Sequence, residues 1–554
     1  MPLTNCYTIP LERRHRAYFF LRRSPSASGE LRERTWQEGK QELSYQQFCE
    51  RMGAVNDLLS ASSLLTWDSR TMMPSGAAEC RGKQVATLVM TARELLISGE
   101  TMRMLDAAET ESQALPEDAA PRRAIAQTRS AIEVHRRIPA DLQQQRTELR
   151  ATSQAAWIQA RAESKYSLFA PYLKKTVDLA RRLADAIGWS EHPYDALLSL
   201  YEPGETVGAL QPLYARLREG LLPLVRGIAA KPQPRSDFLR RDYPEDLQRQ
   251  FALKMAEKFG YDFTRGRLDA TVHPFEISFT RDDVRITTRY YRDFLPASLF
   301  GTLHETGHAL YEQGVDPAYT RTPLATDLTG LYAVGGVSFG AHESQSRMWE
   351  NHVGRSRAFW TLHYPALQET FTAQLGDIDL ETFYRAINRV QPGLIRVEAD
   401  ELTYDFHIMM RTEIEADLIA GKVNVDELPD AWNALILRDL NLVVPDDRLG
   451  VLQDIHWSSG QIGTFCCYTL GNVMASQLYD RALQEDPAVE PALTAGDYRP
   501  LRNWLGEHIH RHGRRYSREE LLVKASGRGL DPEPYIAYLT KKYSGLYDLP
   551  RTAN

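Results

Sequence analysis

The chain has 554 residues, 43% of them hydrophobic and 25% charged, so it is long enough to bury a large core. Its 66 Lys and Arg against 73 Asp and Glu give a formal net charge of −7, which removes any general reason to expect nucleic acid as a partner. The five cysteines include no CxxC pair and do not have the pattern of a disulfide framework. Such sparse cysteines favour a cytoplasmic protein. No apolar run approaches the roughly 18 residues that span a membrane.

The first 42 residues differ from the rest in composition. Arginines are frequent and acids scarce between residues 13 and 23, as in transit peptides. The segment lacks an uninterrupted apolar stretch and a small-residue cleavage site, which argues against targeting. We therefore predict a disordered or loosely docked N-terminal extension over residues 1–42.

A succession of helices is predicted from about residue 43. Ala, Leu, Glu, Arg and Gln dominate 43–110, 120–190 and 205–260, with apolar residues three or four positions apart. Proline and glycine collect between these stretches, where they end helices. The pattern is typical of a large, mainly helical protein.

One segment alternates between apolar and polar residues instead. Residues 273–280 and 284–289 both show this period of two, with a short polar turn between them, and so predict a β-hairpin. The hairpin can be a small packing sheet. Alternatively, its edge can hold an extended peptide by main-chain hydrogen bonds, a use that its position just before the next helix favours.

That next helix carries a candidate metal site. It is predicted from near Pro296, because proline is tolerated at the first helical position, to Gly314, which can terminate a helix. His304 and His308 are four residues apart, so both imidazoles can reach one ion. Glu305 is rotated by about 100° and can contact a metal-bound water without ligating the metal. Chance gives such a motif in roughly one chain in fifty of this length, so two ordinary histidines remain an alternative.

A catalytic zinc needs a third protein ligand and an open position for water. Glu312 lies too far along the helix axis, and the places that hold glycine and histidine in metzincins hold Tyr311 and Gly314, which excludes that class. The remaining option is a glutamate from a later helix. Glu343 is the candidate, although with Arg347 it can also form an ordinary surface pair of a helix.

These residues resemble the carboxypeptidase Taq family of metallocarboxypeptidases. Six motifs occur in the family's order between about residues 43 and 548: HPF at 273–275, DVRIT at 283–287, HETGH at 304–308, HESQ at 342–345, IRVEAD at 395–400 and GVLQDIHW at 450–457. By position, the resemblance implies that His304, His308 and Glu343 bind zinc, with cobalt as an alternative ion, and that Glu305 is the catalytic acid and base.

The resemblance also implies a fold, an activity and an assembly. The expected fold is mainly α, a large helical single body of zincin type with a deep cleft and a small antiparallel hairpin near the active site. The expected activity is removal of single C-terminal residues from peptides, with broad specificity and proline disfavoured, by a homodimer. A zinc oligopeptidase and a non-catalytic helical protein with a structural metal are the alternatives.

Selectivity for C-termini requires a fixed cation for the terminal carboxylate, and arginine fits a carboxylate best. A helix predicted from about 394 to Gly421 places Arg396 on a polar stripe with Asp400, which can orient the guanidinium. Arg285 in the hairpin is a second choice. The further substrate-binding candidates are His273, which can orient the peptide or cap the hairpin, and His456 and Tyr468 as donors to a developing oxyanion.

We predict a catalytic domain over residues 43–554. Residues 43–265 are expected to form a helical cleft wall, and 266–554 the metal site and substrate-binding region. Two stretches depart from the family pattern. The segment near 327–337 is longer than usual, and Thr464, Cys466 and Cys467 stand in a run where the family often has Tyr-Phe-Pro-Thr-Tyr.

Overall fold

A computed structural model describes the backbone of residues 29–550 and the side chains of residues 44–550. Residues 1–28 of the predicted extension lie outside the described residues, whereas the backbone of 29–42 belongs to the first helix. The described chain is mainly helical with one three-stranded sheet, so the predicted fold class is confirmed. Among residues 29–550, no helix combines the length and the apolar character needed to cross a membrane.

The described residues form twenty-one α-helices. In chain order they are α1 (Gly29–Thr71), α2 (Ala78–Ile97), α3 (Gly99–Ser112), α4 (Ala120–Arg137), α5 (Ala140–Glu163), α6 (Ala170–Ile187), α7 (Pro193–Leu198), α8 (Val207–Ala229), α9 (Glu245–Phe259), α10 (Leu295–Gly314), α11 (Phe339–Arg347), α12 (Arg357–Thr370), α13 (Thr372–Leu375), α14 (Leu380–Ile387), α15 (Tyr404–Ala420), α16 (Leu428–Leu440), α17 (Cys466–Glu485), α18 (Val489–Ala495), α19 (Arg499–His508), α20 (Arg518–Ser526) and α21 (Glu533–Tyr547). A π-helical turn, Met348–Val353, continues α11.

The strands are β1 (Leu268–Ala270), β2 (Glu276–Thr280) and β3 (Asp283–Thr288). β2 and β3 form the predicted antiparallel hairpin, with Ile277 opposite Arg285. β1 was not predicted, and it pairs in parallel with β3, which therefore lies in the middle of the sheet. β2 is an edge strand of this sheet and packs beside α10.

The helix predicted from about residue 394 begins ten residues later, at Tyr404, so that prediction is wrong at its N-terminal end. The Asp400 carboxylate accepts hydrogen bonds from the backbone N–H groups of Leu402 and Thr403. A side chain in this role begins a turn and does not sit inside a helix. Arg396 consequently lies in a separate 3₁₀ turn, Arg396–Glu398, and shares no helix face with Asp400.

Two glycines set the spacing of the helices around α11. A Cβ on Gly307 of α10 would lie 2.5 Å from the carbonyl oxygen of Gln345 and 2.6 Å from Cα of Ser346. A Cβ on Gly471 of α17 would lie 2.6 Å from Cγ of Glu343. Both helices therefore approach α11 more closely than any residue with a side chain would allow.

Gly307→Ala is expected to lower the free energy of unfolding by about 1–3 kcal/mol, the usual cost of an overpacked methyl group. Because the obstructing atoms are backbone, α10 and α11 must separate, and metal affinity should fall as well. Gly545→Ala in α21, where nothing lies within 4 Å of the added Cβ, is the control. Thermal unfolding and zinc titration of both variants provide the measurement, and equal behaviour of the two would contradict the close-packing argument.

Candidate metal centre and active site

The structure brings His304, His308 and Glu343 together. One ligand atom of each lies within 4.8 Å of the others, with Glu343 Oε2 at 3.6 Å from His304 Nε2 and 3.3 Å from His308 Nε2. Donors about 2.0–2.1 Å from one zinc ion at tetrahedral angles are about 3.4 Å apart. The three side chains therefore fit a tetrahedral ion with one open position, although the two histidines and the glutamate come from different helices.

Both histidines are oriented by partners on their other ring nitrogen. His304 Nδ1 lies 3.0 Å from Glu350 Oε2, and because a carboxylate accepts, Nδ1 carries the hydrogen. Its Nε2 lone pair is then free for a metal. This arrangement, imidazole between a carboxylate and the ion, is common in metal sites. Glu350 was not predicted, although it follows Glu343 by seven residues and so lies two turns further along the same side.

His308 is oriented by a second histidine. Its Nδ1 lies 2.5 Å from Nδ1 of His342, and His342 Nε2 lies 3.0 Å from Glu312 Oε1. Glu312 also accepts the backbone N–H groups of Gly335 and Gly336, so it acts as the acceptor and His342 Nε2 donates. His342 Nδ1 must then accept from His308, which again leaves Nε2 of His308 for the metal. The exclusion of Glu312 as a ligand agrees with this role.

His342→Ala is expected to weaken metal binding by about 10–100-fold, the usual effect of removing such an outer partner. His308 would lose the hydrogen bond that fixes its tautomer and ring angle. The control is His363→Ala, since His363 is also buried and hydrogen-bonded, to Tyr498, in another part of the fold. Competition with a chelator measures the affinity, and a His342→Ala affinity equal to that of the control would count against the relay.

The electrostatics around the ligands favour a cation. Burial opposes ionisation of Glu343, but the charges of Arg347 and His304 outweigh it and hold its pKa well below its usual range. Burial lowers the pKa of His308 to about 3, so this imidazole is neutral and able to bind a metal. Burial also acts against a charge on His304, but the carboxylates of Glu343 and Glu350 outweigh it and raise its pKa.

Glu305 lies beside these ligands. Burial, supported by the negative charges of Glu343 and Glu350, raises its pKa to about 7 although His304 opposes the rise. The backbone N–H of Glu276, the first residue of edge strand β2, donates to its carboxylate. A carboxyl group poised near neutrality suits a general base that must also return the proton.

The alternative for Glu343 was an ordinary surface pair with Arg347, but Arg347 is not on the surface. Its Nε lies 2.6 Å from Glu343 Oε1, and its side chain is 15% exposed against 7% for Glu343. The guanidinium also lies over the ring of Tyr404. The pair is therefore a buried contact that orients the carboxylate and leaves Oε2 towards the histidines.

The partner of Arg396 is not Asp400, which corrects the prediction. Arg396 Nε and Nη2 both contact Asp454 Oδ1, at 3.0 and 2.8 Å, and Nη1 donates to the Tyr404 hydroxyl at 3.1 Å. Asp454 is shared with Arg411, whose Nε lies 2.6 Å from its other oxygen. Asp454 lies in the GVLQDIHW motif, but neither Asp454 nor Arg411 was predicted as part of this contact. A partner 58 positions from Arg396, and one shared by two arginines, cannot be found from local patterns.

Two other candidates join Arg396. Tyr468 on α17 has its ring 5.5 Å from the Arg396 guanidinium, and His456 lies against Phe465. Burial lowers the pKa of His456 to about 4, so it is neutral, and its Nδ1 has no hydrogen-bond partner among the described residues. Arg396, His456 and Tyr468 thus form one polar group around Phe465.

The hairpin candidates lie elsewhere. Arg285 is paired with Asp283 at 2.8 Å and lies over the ring of Trp67 from α1, so its guanidinium already has partners. His273 is exposed in the loop that precedes β2. Within the described residues, no hydrogen bond or ion pair joins either side chain to the candidate ligands His304, His308 and Glu343.

The helical fold, the paired histidines, the glutamate ligand and the adjacent buried glutamate define a metallopeptidase with an HExxH helix. Residues 47–543 match the Carboxypeptidase Taq (M32) metallopeptidase family. The chain belongs to this family and is a metallocarboxypeptidase, a hydrolase of peptide bonds.

Similar proteins match over nearly their full length. The chain is 38% identical to Carboxypeptidase 1 of Bacillus subtilis over 90% of its own length and 98% of that protein. It is 39% identical to Thermostable carboxypeptidase 1 of Thermus thermophilus, over 91% and 99%. The crystal structure of the M32 carboxypeptidase from Deinococcus radiodurans R1 superposes with a TM-score of 0.87 at 39% identity, covering 91% of this chain and 100% of that one.

Proposed function

We propose that the metal of this carboxypeptidase is zinc, with cobalt as an alternative, held by His304, His308 and Glu343. The observation that carries the proposal is the spacing of 3.3 and 3.6 Å between the glutamate oxygen and the two imidazole nitrogens. Two nitrogen ligands and one carboxylate are a usual donor set for catalytic zinc. Bound there, a zinc ion would polarise the scissile carbonyl and lower the pKa of a water molecule to about 7.

Glu305 is the general base and acid. Its carboxylate accepts the proton of the attacking water and passes it to the leaving amine. The N–H of Glu276 fixes one side of the carboxylate, and burial keeps its proton affinity high enough for both transfers. A protein with a purely structural metal would have no task for this residue, which favours catalysis over that alternative.

Arg396 receives the C-terminal carboxylate of the substrate. A guanidinium has five N–H donors, and Asp454 occupies only Nε–H and one hydrogen of Nη2. Nη1 gives one hydrogen to the Tyr404 hydroxyl, so its other hydrogen and the second hydrogen of Nη2 remain for a second carboxylate. Asp454, which Arg411 contacts on its other oxygen, holds the guanidinium in place. Tyr468 and His456 lie beside it as donors to the oxyanion. Arg285 is the second choice for the terminal carboxylate, and His273 is a candidate for contact with the peptide main chain.

The substrates are peptides, cleaved with broad specificity and with proline disfavoured. Proline lacks the backbone N–H and fixes φ, so it fits poorly beside an edge strand such as β2. The absence of a cysteine framework in the sequence supports a cytoplasmic enzyme, and the family resemblance supports a homodimer.

The test is a mass ladder. The zinc-loaded protein is incubated with one peptide in two forms, with a free and with an amidated C-terminus. We expect the free form to lose residues one at a time and the amidated form to lose most of its rate, because Arg396 then has no carboxylate to bind. Internal fragments from both forms would favour the oligopeptidase alternative.

A further inference from the structure

Three arginines on α1 and α5 have no acidic partner among the described residues. Arg70 ends α1, and Arg146 and Arg150 lie one turn apart on α5. None forms an ion pair within the described residues: Arg70 lies over the ring of Phe275, and Arg146 donates to the Gln143 side chain. Two other arginines in this part of the chain do have such partners: Arg51 on α1 pairs with Glu100, and Arg129 on α4 pairs with Asp106.

The α5 arginines border a recess. Arg146, Arg150 and Tyr201 line a cavity of about 150 Å³ between α5, α6 and the turn 458–460, with Leu179 and Leu183 behind them. Burial lowers the pKa of Arg146, and the positive charge of Arg150 lowers it further. A guanidinium in this position is partly dehydrated and repelled by its neighbour.

Arg70 reaches the same region from the other wall. Its side chain is exposed, yet partial burial by neighbouring atoms lowers its pKa, and the charge of Arg150 adds to this effect. Burial raises the pKa of the Tyr332 hydroxyl, and the charges of Arg150 and Arg70 oppose the rise. Tyr332 therefore lies near both arginines.

Backbone neighbours connect the Arg70 side and the α5 side of this region to Glu305 and Glu343. Phe275 beneath Arg70 immediately precedes Glu276, whose N–H contacts Glu305. On the other wall, the Tyr201 carbonyl accepts the N–H of Phe339, which lies one helical turn before Glu343 on α11. The rings of Tyr332 and Phe339 are 6.3 Å apart, and both are large exposed hydrophobics. The arginines thus stand beside an aromatic surface at the approach to the metal.

We propose that Arg70, Arg146 and Arg150 form a subsite for acidic side chains of the substrate, N-terminal to the bond that is cleaved. The proposal rests on the function proposed above, in which Arg396 receives the terminal carboxylate and the rest of the peptide extends along the cleft. Carboxylates are the peptide groups that match the guanidinium fork. Mutual repulsion between three unpaired cations makes an anion the favoured occupant.

The experiment compares peptides that share a neutral C-terminal residue and differ by one interior residue, Glu or Gln, placed in turn at the second to sixth position from the C-terminus. We expect kcat/KM to be about threefold to tenfold higher for Glu at one or more of these positions, since each partly exposed ion pair adds little. The preference should decline as salt rises.

In the double variant Arg146→Gln/Arg150→Gln, we expect the preference for Glu over Gln peptides to disappear. In Arg70→Gln we expect it to decrease. Turnover of the Gln peptides should be unchanged in both. Arg150→Glu should favour a Lys peptide over the Glu peptide. Arg161→Gln is the matched control, because Arg161 is exposed on the same helix and lies over Trp157. It should keep the wild-type preference.

Equal kcat/KM for Glu and Gln peptides in the wild-type protein would overturn the subsite, as would a preference that survives in the double variant. Loss of single residues from the Gln peptides tests the proposed function separately. Binding of fluorescently labelled Glu and Gln peptides to the Glu305→Gln protein measures the subsite without turnover. Equal affinity there would also overturn it.

Discussion

Glu305→Gln is expected to lower kcat by about 10²–10⁴-fold, the usual contribution of a general acid and base, while the bound metal stays in place. Glutamine keeps the shape of the side chain and can still accept the N–H of Glu276, but it cannot take up a proton. Because Glu305 does not contact the ion as a ligand, zinc content should remain at that of the wild type. Peptide turnover and metal analysis on the same preparation give both quantities.

The control for this variant is Glu369→Gln, an exposed carboxylate on α12 for which we expect unchanged kcat. Peptide binding provides a further check: the KM or the affinity for a free-ended peptide should change little, since we propose that Arg396, and not Glu305, receives the terminal carboxylate. Retained zinc together with wild-type turnover would rule out Glu305 as the base.

Glu343→Ala is expected to have two effects that can be separated. The proposed zinc site loses one of its three ligands, so zinc should be removed by dialysis against a mild chelator. In addition, Arg347 loses the carboxylate that holds its buried guanidinium. Removing one partner of a buried ion pair usually costs about 3–5 kcal/mol, and we expect a value near the lower end because Arg347 Nη1 also lies 3.4 Å from Glu350.

Denaturant unfolding of the metal-free wild type and the metal-free variant measures the second effect alone. The double variant Glu343→Ala/Arg347→Ala should recover part of the lost stability, because no unpaired cation remains. A Glu343→Ala protein with full zinc occupancy would remove Glu343 from the ligand set, and unchanged metal-free stability would show that the pair with Arg347 contributes nothing.

Local patterns were sufficient for the elements that depend on neighbours in sequence. The proline near the start and the glycine at the end of the metal helix predicted 296–314, and α10 is Leu295–Gly314. The spacing of His304 and His308 fixed their common face. Alternation over 273–289 likewise predicted the hairpin, since a period of two leaves few alternatives.

Features that depend on distant pairing could not be derived in this way. β1 has only three residues and pairs in parallel with β3. Predicting this pair requires knowing the path of the chain between the two strands. The error at Arg396 has a related cause. Charged residues four apart resemble a helical pair, but Asp400 binds backbone N–H groups and the true partner, Asp454, is 58 positions away.

The residues that contact the two histidines from outside the metal site, His342 and Glu350, were only partly predictable. His342 and Glu343 belong to the same HESQ motif of the sequence. Only the packing of α10 against α11 shows that His342 bridges His308 and Glu312. Glu350 reaches His304 from the π-helical turn after α11. Such contacts follow from helix packing, which a single sequence does not specify.

Crystals grown with zinc test most directly whether His304, His308 and Glu343 bind one catalytic ion. An anomalous difference map at the zinc edge should show one strong peak per chain, with Nε2 of each histidine and one oxygen of Glu343 at about 2.0–2.2 Å and Glu305 facing the open side. A peak elsewhere, or a peak at the two histidines with Glu343 turned away to Arg347 alone, would contradict this ligand set.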